Sequence, residues 1–191
     1  AMNVPVVALP GWEGDDILGT VAARDEELGY RTLLVTGDKD AYQLASDLTK
    51  IVTTKRGITD VVIYGPEEVE ERYGVTPDQF TDFLGLKGDK ADNIPGVPGI
   101  GDKKAASMLQ AYGNLEGIYA NLDKFKGKQL ENLTNYKDDA FLSRQVATIV
   151  RDADFELDLE SISFPSFDPE QVTKAFTDVR MMAHLAKILK L

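Results

Sequence analysis

The sequence predicts an α/β protein, with a mainly parallel sheet and flanking helices followed by a helical C-terminal half. Three observations predict it. Short apolar runs alternate with a helical pattern over the first third of the chain, as parallel strands joined by crossover helices do. From Pro66 onward the pattern turns helical, and Gly or Pro punctuates its segments. Acidic residues collect in three short motifs at predicted strand ends and turns. Open α/β sheets place ligand sites at the carboxyl ends of their strands.

The elements follow in order. Residues 3–9 (NVPVVAL) read as a short buried strand, ended by Pro10-Gly11. Residues 14–28 are helical, with Ile17, Leu18, Val21, Ala22 and Leu28 at helical spacing and Gly29 as terminator. Residues 31–36 (RTLLVT) form a second strand, and a short helix is expected over 38–44. Two more strands are expected over 48–53 and 58–64, with Lys55-Arg56-Gly57 turning between them. Pro66 suits the first turn of a helix over 67–73, which Gly74 stops. A helix over 77–84, a Gly/Pro-rich stretch over 85–101 and a helix over 102–112 follow. Further helices are expected at about 115–121, 126–134, 137–149 and 169–189. Between the last two lies an acidic segment, 152–168, read as a solvated edge or loop because a linear acidic run is usually surface.

The bulk properties exclude several classes. At 191 residues the chain is one large domain or two small ones, with 43% hydrophobic and 28% charged residues, ordinary for a globular protein. No apolar run reaches membrane-spanning length, and the N-terminus lacks a signal-peptide pattern. The absence of cysteine excludes disulfides and thiolate metal sites and fits a cytosolic protein. The only histidine, His184, falls in a C-terminal helical pattern, which argues against zinc chemistry. The net charge of −11 argues against nucleic-acid binding only when averaged over the chain. Seven motif acids supply much of it, and two bound divalent ions would cancel about four charges.

Those acids are Glu13, Asp15 and Asp16 in GWEGDD, Asp38 and Asp40 in TGDKD, and Asp89 and Asp92 in GDKADN. Clustered carboxylates repel unless something positive binds, and a hard divalent cation with oxygen ligands is the simplest answer. Meeting in one cleft, they would hold two Mg²⁺ or Mn²⁺ ions, an arrangement suited to phosphodiester chemistry. Each motif also has a plainer reading. Asp15 and Asp16 favour a helix N-terminus, TGDKD suits a turn and N-cap, and GDKADN suits a tight turn. A fourth motif, VPGIGDKKAASML, is read as a helix-hairpin-helix. Gly99 and Gly101 permit a tight hairpin, and free amides at the next helix start can approach a phosphate. Lys103 and Lys104 add positive charge there, and Ala105 and Ala106 allow close helix approach. Together the motifs imply metal-dependent cleavage of a nucleic-acid backbone gripped without sequence preference.

GWEGDD, TGDKDAYQL and GLKGDKADNIPGVPGIGDKKA, in this order, resemble the 5′-nuclease superfamily that includes flap endonucleases, and most of all bacterial 5′→3′ exonuclease domains. The resemblance runs over nearly the whole chain. It implies a PIN-like 5′-nuclease core over 1–75 and a helical DNA-binding subdomain over 76–191, with the helix-hairpin-helix at about 94–113. It implies that Glu13, Asp15, Asp16 and Asp38 hold the metal that activates water, and that Asp40, Asp89 and Asp92 belong to the second metal. Asp38, Asp16 and Asp40 would be the catalytic set. Gly99, Ile100 and Gly101 would grip duplex DNA with the help of K⁺, and Lys103 and Lys104 would contact its backbone. The implied substrate is DNA with a 5′ flap, nick or duplex end. The implied setting is a monomer in the bacterial cytoplasm, at the nucleoid, with a polymerase domain covalently attached in the natural protein. The family pattern also has an N-terminal segment with a first strand, two further acidic ligands and a basic arch, which this sequence is expected to lack. A non-catalytic DNA-binding fragment is therefore the alternative reading, and an RNA nuclease with a similar acidic centre is a third.

Overall fold

The structure is a computed structural model that describes residues 1–2, 4–57, 60–157 and 167–190. The chain divides into two compact units, Trp12–Ala153 and a second made of Ala1–Gly11 with Asp154–Leu191. All the candidate site residues lie in the first.

That unit opens with helix α1 (Gly14–Glu27), where the Glu13 amide donates to Asp16 Oδ2 at 3.2 Å. This contact satisfies an amide that the helix itself leaves without a partner. Strand β1 (Thr32–Val35) buries Thr32 and Leu34 and exposes Leu33 and Val35, as an alternating strand must. The short helix expected over 38–44 is a 3₁₀ turn over Asp40–Leu44. Strand β2 (Thr49–Arg56) pairs parallel to β1, with Thr32 opposite Thr49 and Val35 opposite Val52. Strand β3 (Asp60–Tyr64) pairs antiparallel to β2, with Ile51 opposite Tyr64. The described sheet has three strands in the order β1-β2-β3, one pair parallel and one antiparallel. Connection length explains the difference. The segment between β1 and β2 is long enough to cross over, whereas that between β2 and β3 permits only a hairpin. The expected turn residues Lys55 and Arg56 belong to β2, and residues 58–59 lie outside the described ones.

The helical part begins with α2 (Pro66–Tyr73), closed by Gly74 at φ +72°. A 3₁₀ turn at Pro77–Gln79 leads into α3 (Phe80–Lys87), three residues later than expected. Helix α3 is the centre of the unit: Phe80, Asp82, Phe83, Leu84, Gly85 and Leu86 are all buried. Helices α4 (Asp102–Tyr112), α5 (Leu115–Ala120), α6 (Gly127–Asn135) and α7 (Lys137–Ala147) complete it. Helix α7 lies so close to α3 that a Cβ on Gly85 would come within 2.8 Å of the Ala140 carbonyl oxygen. Asp82, buried at this contact, receives Arg144 at 3.1 Å and the Leu115 amide at 3.3 Å. Burial pushes its carboxyl pKa up, and the Arg144 guanidinium pulls against that.

Sheet and helices share one core. Tyr42 packs edge-on against Tyr64 (4.9 Å between ring centres) and Phe80 (5.6 Å), and Tyr73 packs on Phe80 at 5.1 Å. Such edge-to-face pairs add about 0.5–1.5 kcal/mol each beyond burial.

The second unit holds helices α8 (Pro169–Asp178) and α9 (Met182–Ile188). Asp168 caps α8 through the Glu170 amide at 2.8 Å. The single helix expected over 169–189 is broken between them, where Arg180 adopts φ +57°. His184 is exposed on α9. The strand expected over residues 3–9 is corrected. Asn3 lies outside the described residues, and 4–9 carry no regular structure, with Val6 90% exposed. Pro5 brings no amide hydrogen to a ladder, and an apolar run becomes a strand only where a partner pairs with it. Of the acidic segment, residues 152–157 have no regular structure, and 158–166, including Asp158 and Glu160, lie outside the described residues. No helix among the described residues is long and apolar enough to cross a membrane.

Candidate functional site

The first acidic motif sits where the chain enters α1. Glu13 precedes the helix, and Asp15 and Asp16 fill its first turn, where the helix dipole favours negative charge. Asp16 is held at both oxygens: Oδ2 accepts the Glu13 amide, and Oδ1 accepts the Val150 amide at 2.9 Å. It therefore ties the start of α1 to the segment after α7, with one lone pair left on each oxygen.

The second motif follows β1. Thr36 Oγ1 accepts the Asp38 amide at 3.1 Å, and Asp38 Oδ1 accepts the Asp40 amide at 3.0 Å. These bonds fold TGDKD into a local turn. Asp38 stays exposed at its rim, while Asp40 is drawn inward.

The third motif is a pinned loop. Asp89 and Ile94 exchange backbone hydrogen bonds at 3.0 and 2.7 Å, and Asp89 Oδ1 accepts the Ala91 amide at 2.8 Å. Gly88 (φ +73°) and Gly96 (φ +60°) cross there so closely that a Cβ on Gly96 would lie 2.3 Å from the Gly88 nitrogen. The Val97 amide donates to the Leu86 carbonyl at 2.8 Å, and the buried Ser143 hydroxyl accepts the Gly96 amide at 3.1 Å.

The acids of all three motifs share one electric field. Asp15 has its pKa raised by burial first, then by Asp38, Glu13, Asp16 and Asp92. Asp40 is pushed up to about 7, again by burial first and then by Asp38, Asp92, Asp89 and Asp15. Asp40 Oδ1 is buried without a hydrogen-bond partner. Among the described residues no three acidic, histidine or cysteine side chains converge closely enough to coordinate one ion. The acids are thus coupled electrostatically without three of them converging on one point. An orphaned carboxylate oxygen beside four other carboxylates, with oxygen donors only, is a donor set that fits hard divalent cations.

The hairpin is built from residues 96–101 between α3 and α4. Gly99 takes φ +79°, Ile100 is buried, and Gly101 precedes α4. The Ile100 amide donates to the Val97 carbonyl at 3.1 Å, and Asn132 Nδ2 clamps the Pro98 carbonyl at 2.6 Å. Ala105 and Ala106 are buried, and Ala106 faces the end of α2, where Gln110 reaches the Gly74 carbonyl at 2.7 Å. Lys103 and Lys104 are both exposed, but Lys104 folds back, its ammonium 2.9 Å from the Gly99 carbonyl.

Sequence reasoning missed a basic cleft of about 450 Å³ lined by Lys39, Arg72, Tyr73, Lys87, Asp102 and Lys103. Four cations from four separate segments meet there; the hairpin motif points to Lys103, but no local pattern announces the meeting. It also missed Asn132 and Ser143, whose partners lie 34 and 47 residues away.

Comparison with known proteins shows the family to which the chain is related. A family model described as 5′-3′ exonuclease, N-terminal resolvase-like domain, matches residues 1–74. One described as 5′-3′ exonuclease, C-terminal SAM fold, matches residues 75–170. DNA polymerase I of Bacillus caldotenax is 44% identical over 189 residues, covering 98% of this chain and 22% of that protein. DNA polymerase I of Mycobacterium tuberculosis is 36% identical over 179 residues, covering 94% and 20%. The chain thus spans about a fifth of the length of the curated relatives it matches. Among solved structures, the bacteriophage T5 D15 flap endonuclease in a pseudo-enzyme-product complex with DNA and metal ions superposes with a TM-score of 0.67 at 25% identity, over 76% of this chain and 53% of that one. The catalytic core of Rad2 in complex with a DNA substrate shares the fold, with a TM-score of 0.59 at 19% identity over 93% and 60%. From its motifs, its fold and these matches, the chain belongs to the 5′-3′ exonuclease family.

Proposed function

We propose that this chain is the 5′-nuclease portion of a bacterial DNA-processing protein, a structure-specific 5′→3′ exonuclease and 5′-flap endonuclease that hydrolyses phosphodiester bonds with two divalent metal ions. The observation that carries the proposal is the shared field of the three acidic motifs, with Asp40 held half-buried at a raised pKa of about 7 and one oxygen unpartnered. Glu13, Asp15, Asp16 and Asp38 would hold one ion and Asp40, Asp89 and Asp92 the other. Bound Mg²⁺ or Mn²⁺ supplies an activated water and neutralises charge on the phosphodiester.

The chain's own residues do the rest. Asp38, at the exposed rim of its turn, adds to the raised pKa of both Asp15 and Asp40 and would be the catalytic residue whose loss costs most. Asp16, fixed by two amides, holds the first turn of α1 in place beside it. Asp40 anchors the group from the buried side. Gly99, Ile100 and Gly101 present hairpin backbone to duplex phosphates, with Lys103 and Lys104 alongside. A monovalent cation such as K⁺ would be held by the backbone of the hairpin.

The proposed substrates are DNA flaps, nicks and duplex ends, and the proposed setting is the bacterial cytoplasm, at the nucleoid. We take the acting species to be a monomer, with a polymerase domain attached in the natural protein. The division into a nuclease core over 1–75 and a DNA-binding subdomain over 76–191 belongs to the same proposal. The test is cleavage of a 5′-labelled DNA flap with Mg²⁺ and with Mn²⁺, against Asp38→Ala. Junction-proximal cleavage lost in the variant is the expected result. Duplex binding without metal-dependent cleavage would instead assign the chain a DNA-gripping role only. An RNA flap of the same sequence separates the two nucleic acids.

A further inference from the structure

The basic cleft draws its lining from the segments of both sites described above and from two helix ends that neither site uses. Lys39 comes from the turn that carries Asp38 and Asp40, and Lys103 comes from the first turn of the hairpin helix α4. Arg72 and Tyr73 end α2, and Lys87 ends α3. In a chain with a net charge of −11, the lining holds four cations and one acid, Asp102. Asp102 is already paired with Lys87 at 3.4 Å.

The other cations are not neutralised. Among the described residues no carboxylate lies within ion-pair distance of Lys39, Arg72 or Lys103. Arg72 is held by tyrosines instead. Its guanidinium stacks 5.1 Å from the Tyr64 and Tyr73 ring centres and 5.9 Å from that of Tyr42, and it hydrogen-bonds the Tyr64 hydroxyl. Stacking fixes the plane of the guanidinium and leaves its charge intact, which is how arginine is prepared to receive an oxyanion. Lys87 is likewise braced, 5.3 Å over the Phe83 ring. Like charges from four segments gathered in one cleft repel unless an anion joins them.

We propose that this cleft is a phosphate-binding subsite for the DNA backbone, bridging the acid cluster and the hairpin, with Arg72 and Lys39 as its principal contacts and Lys87 and Lys103 at its edge. The proposal rests on the DNA-directed reading above and adds a contact that reading does not include. Its chemistry is that of a phosphodiester oxyanion, which needs positive charge and N–H donors and no base recognition.

The test is the salt dependence of binding to a 5′-flapped DNA duplex, measured in EDTA so that no cleavage occurs. The variants are Arg72→Gln with Lys39→Gln, Lys104→Ala for the hairpin, and Lys124→Gln as a charge control outside the cleft. Each lost phosphate contact lowers the steepness of log K against log [salt] by about 0.9. The cleft pair should therefore lose about 2 from the slope. Its affinity drop between 50 and 200 mM salt should shrink about tenfold, while the Lys124→Gln slope stays at the wild-type value. An unchanged slope in the cleft pair, with binding weakened by Lys104→Ala, would overturn the subsite and leave the nuclease reading standing. A lower melting temperature in the cleft pair without a slope change would overturn it too, by assigning Arg72 to packing alone. Failure of the unaltered chain to bind the flapped duplex would overturn both readings.

Discussion

The acid cluster and the hairpin stand a few turns apart in one unit and are opposites in their bonding. At the hairpin, the Pro98 carbonyl meets Asn132, the Ile100 amide meets the Val97 carbonyl, and the Gly99 carbonyl holds the Lys104 ammonium. Among the acids, Asp40 keeps an unpartnered buried oxygen and a pKa raised first by burial and then by four other carboxylates. The hairpin backbone is closed by hydrogen bonds within it and from Asn132. The acids are held near one another by the fold despite their charge, and that arrangement gains stability only when cations arrive. The comparison teaches that the two functions depend on metal differently. On the proposed function, duplex gripping would be preformed and cleavage would be assembled by the ions.

The largest effect expected from breaking this comparison is at Asp38. Asp38→Asn should cut flap cleavage by about 10³-fold, the loss typical of removing a group that stabilises transition-state charge, while EDTA-phase duplex affinity stays within about twofold. A parallel loss of affinity would show that the two sites are not separable.

Next in size is the loop that joins them. Gly96→Ala would press a methyl onto the Gly88 backbone at a φ of +60°. A loss of about 3 kcal/mol in folding stability is expected, read by urea unfolding. Asp89 and Asp92 ride on this loop, so metal-dependent stabilisation should fall with it.

A smaller effect is expected at the clamp on the hairpin. Asn132→Ala leaves the Pro98 carbonyl without its donor and should cost about 1–2 kcal/mol. Duplex affinity should drop several-fold with no change in the metal concentration needed for cleavage. A change in metal requirement would contradict a preformed, metal-independent hairpin.

The smallest effect has the opposite sign. Asp40 has a folded-state pKa of about 7 against an ordinary 3.8. Between those values the folded state binds more protons than the unfolded one, so this group's contribution to stability is present below pH 4 and lost as pH rises through 7. Asp40→Asn should therefore stabilise the metal-free protein at pH 8, by about 1 kcal/mol once solvent screening of a partly exposed group is allowed for. Thermal melts in EDTA from pH 5 to 8 should show a shallower slope for the variant. Added Mg²⁺ should raise the melting temperature of the unaltered chain more than that of the variant. Melting profiles that match with and without the substitution would remove Asp40 from the acid field.

Much of this was legible in the residues. Gly29 and Gly74 end the helices they were expected to end, each at positive φ. The hairpin was readable because its requirements are local: a glycine at positive φ, a buried Ile100 and small alanines on the next helix. Residues 4–9 were misread for the complementary reason. VPVVAL has strand composition, but pairing is a property of a neighbour, and composition does not contain the neighbour. Likewise, an unbroken helix was expected over 169–189, but the backbone turns at Arg180.

Local chemistry alone determined which residue types are present and where their backbones turn. Three acidic motifs, oxygen donors without thiols, and a glycine hairpin with lysines were all set by the order of residues. Only the tertiary structure decided how the acids share one field, that Asp16 reaches the Val150 amide, and that Lys39, Arg72, Lys87 and Lys103 line one cleft. The physical reason is range. Turns and caps are settled within a few residues by sterics and hydrogen bonds, whereas electrostatic fields and clefts depend on distances between segments that only the packed core establishes.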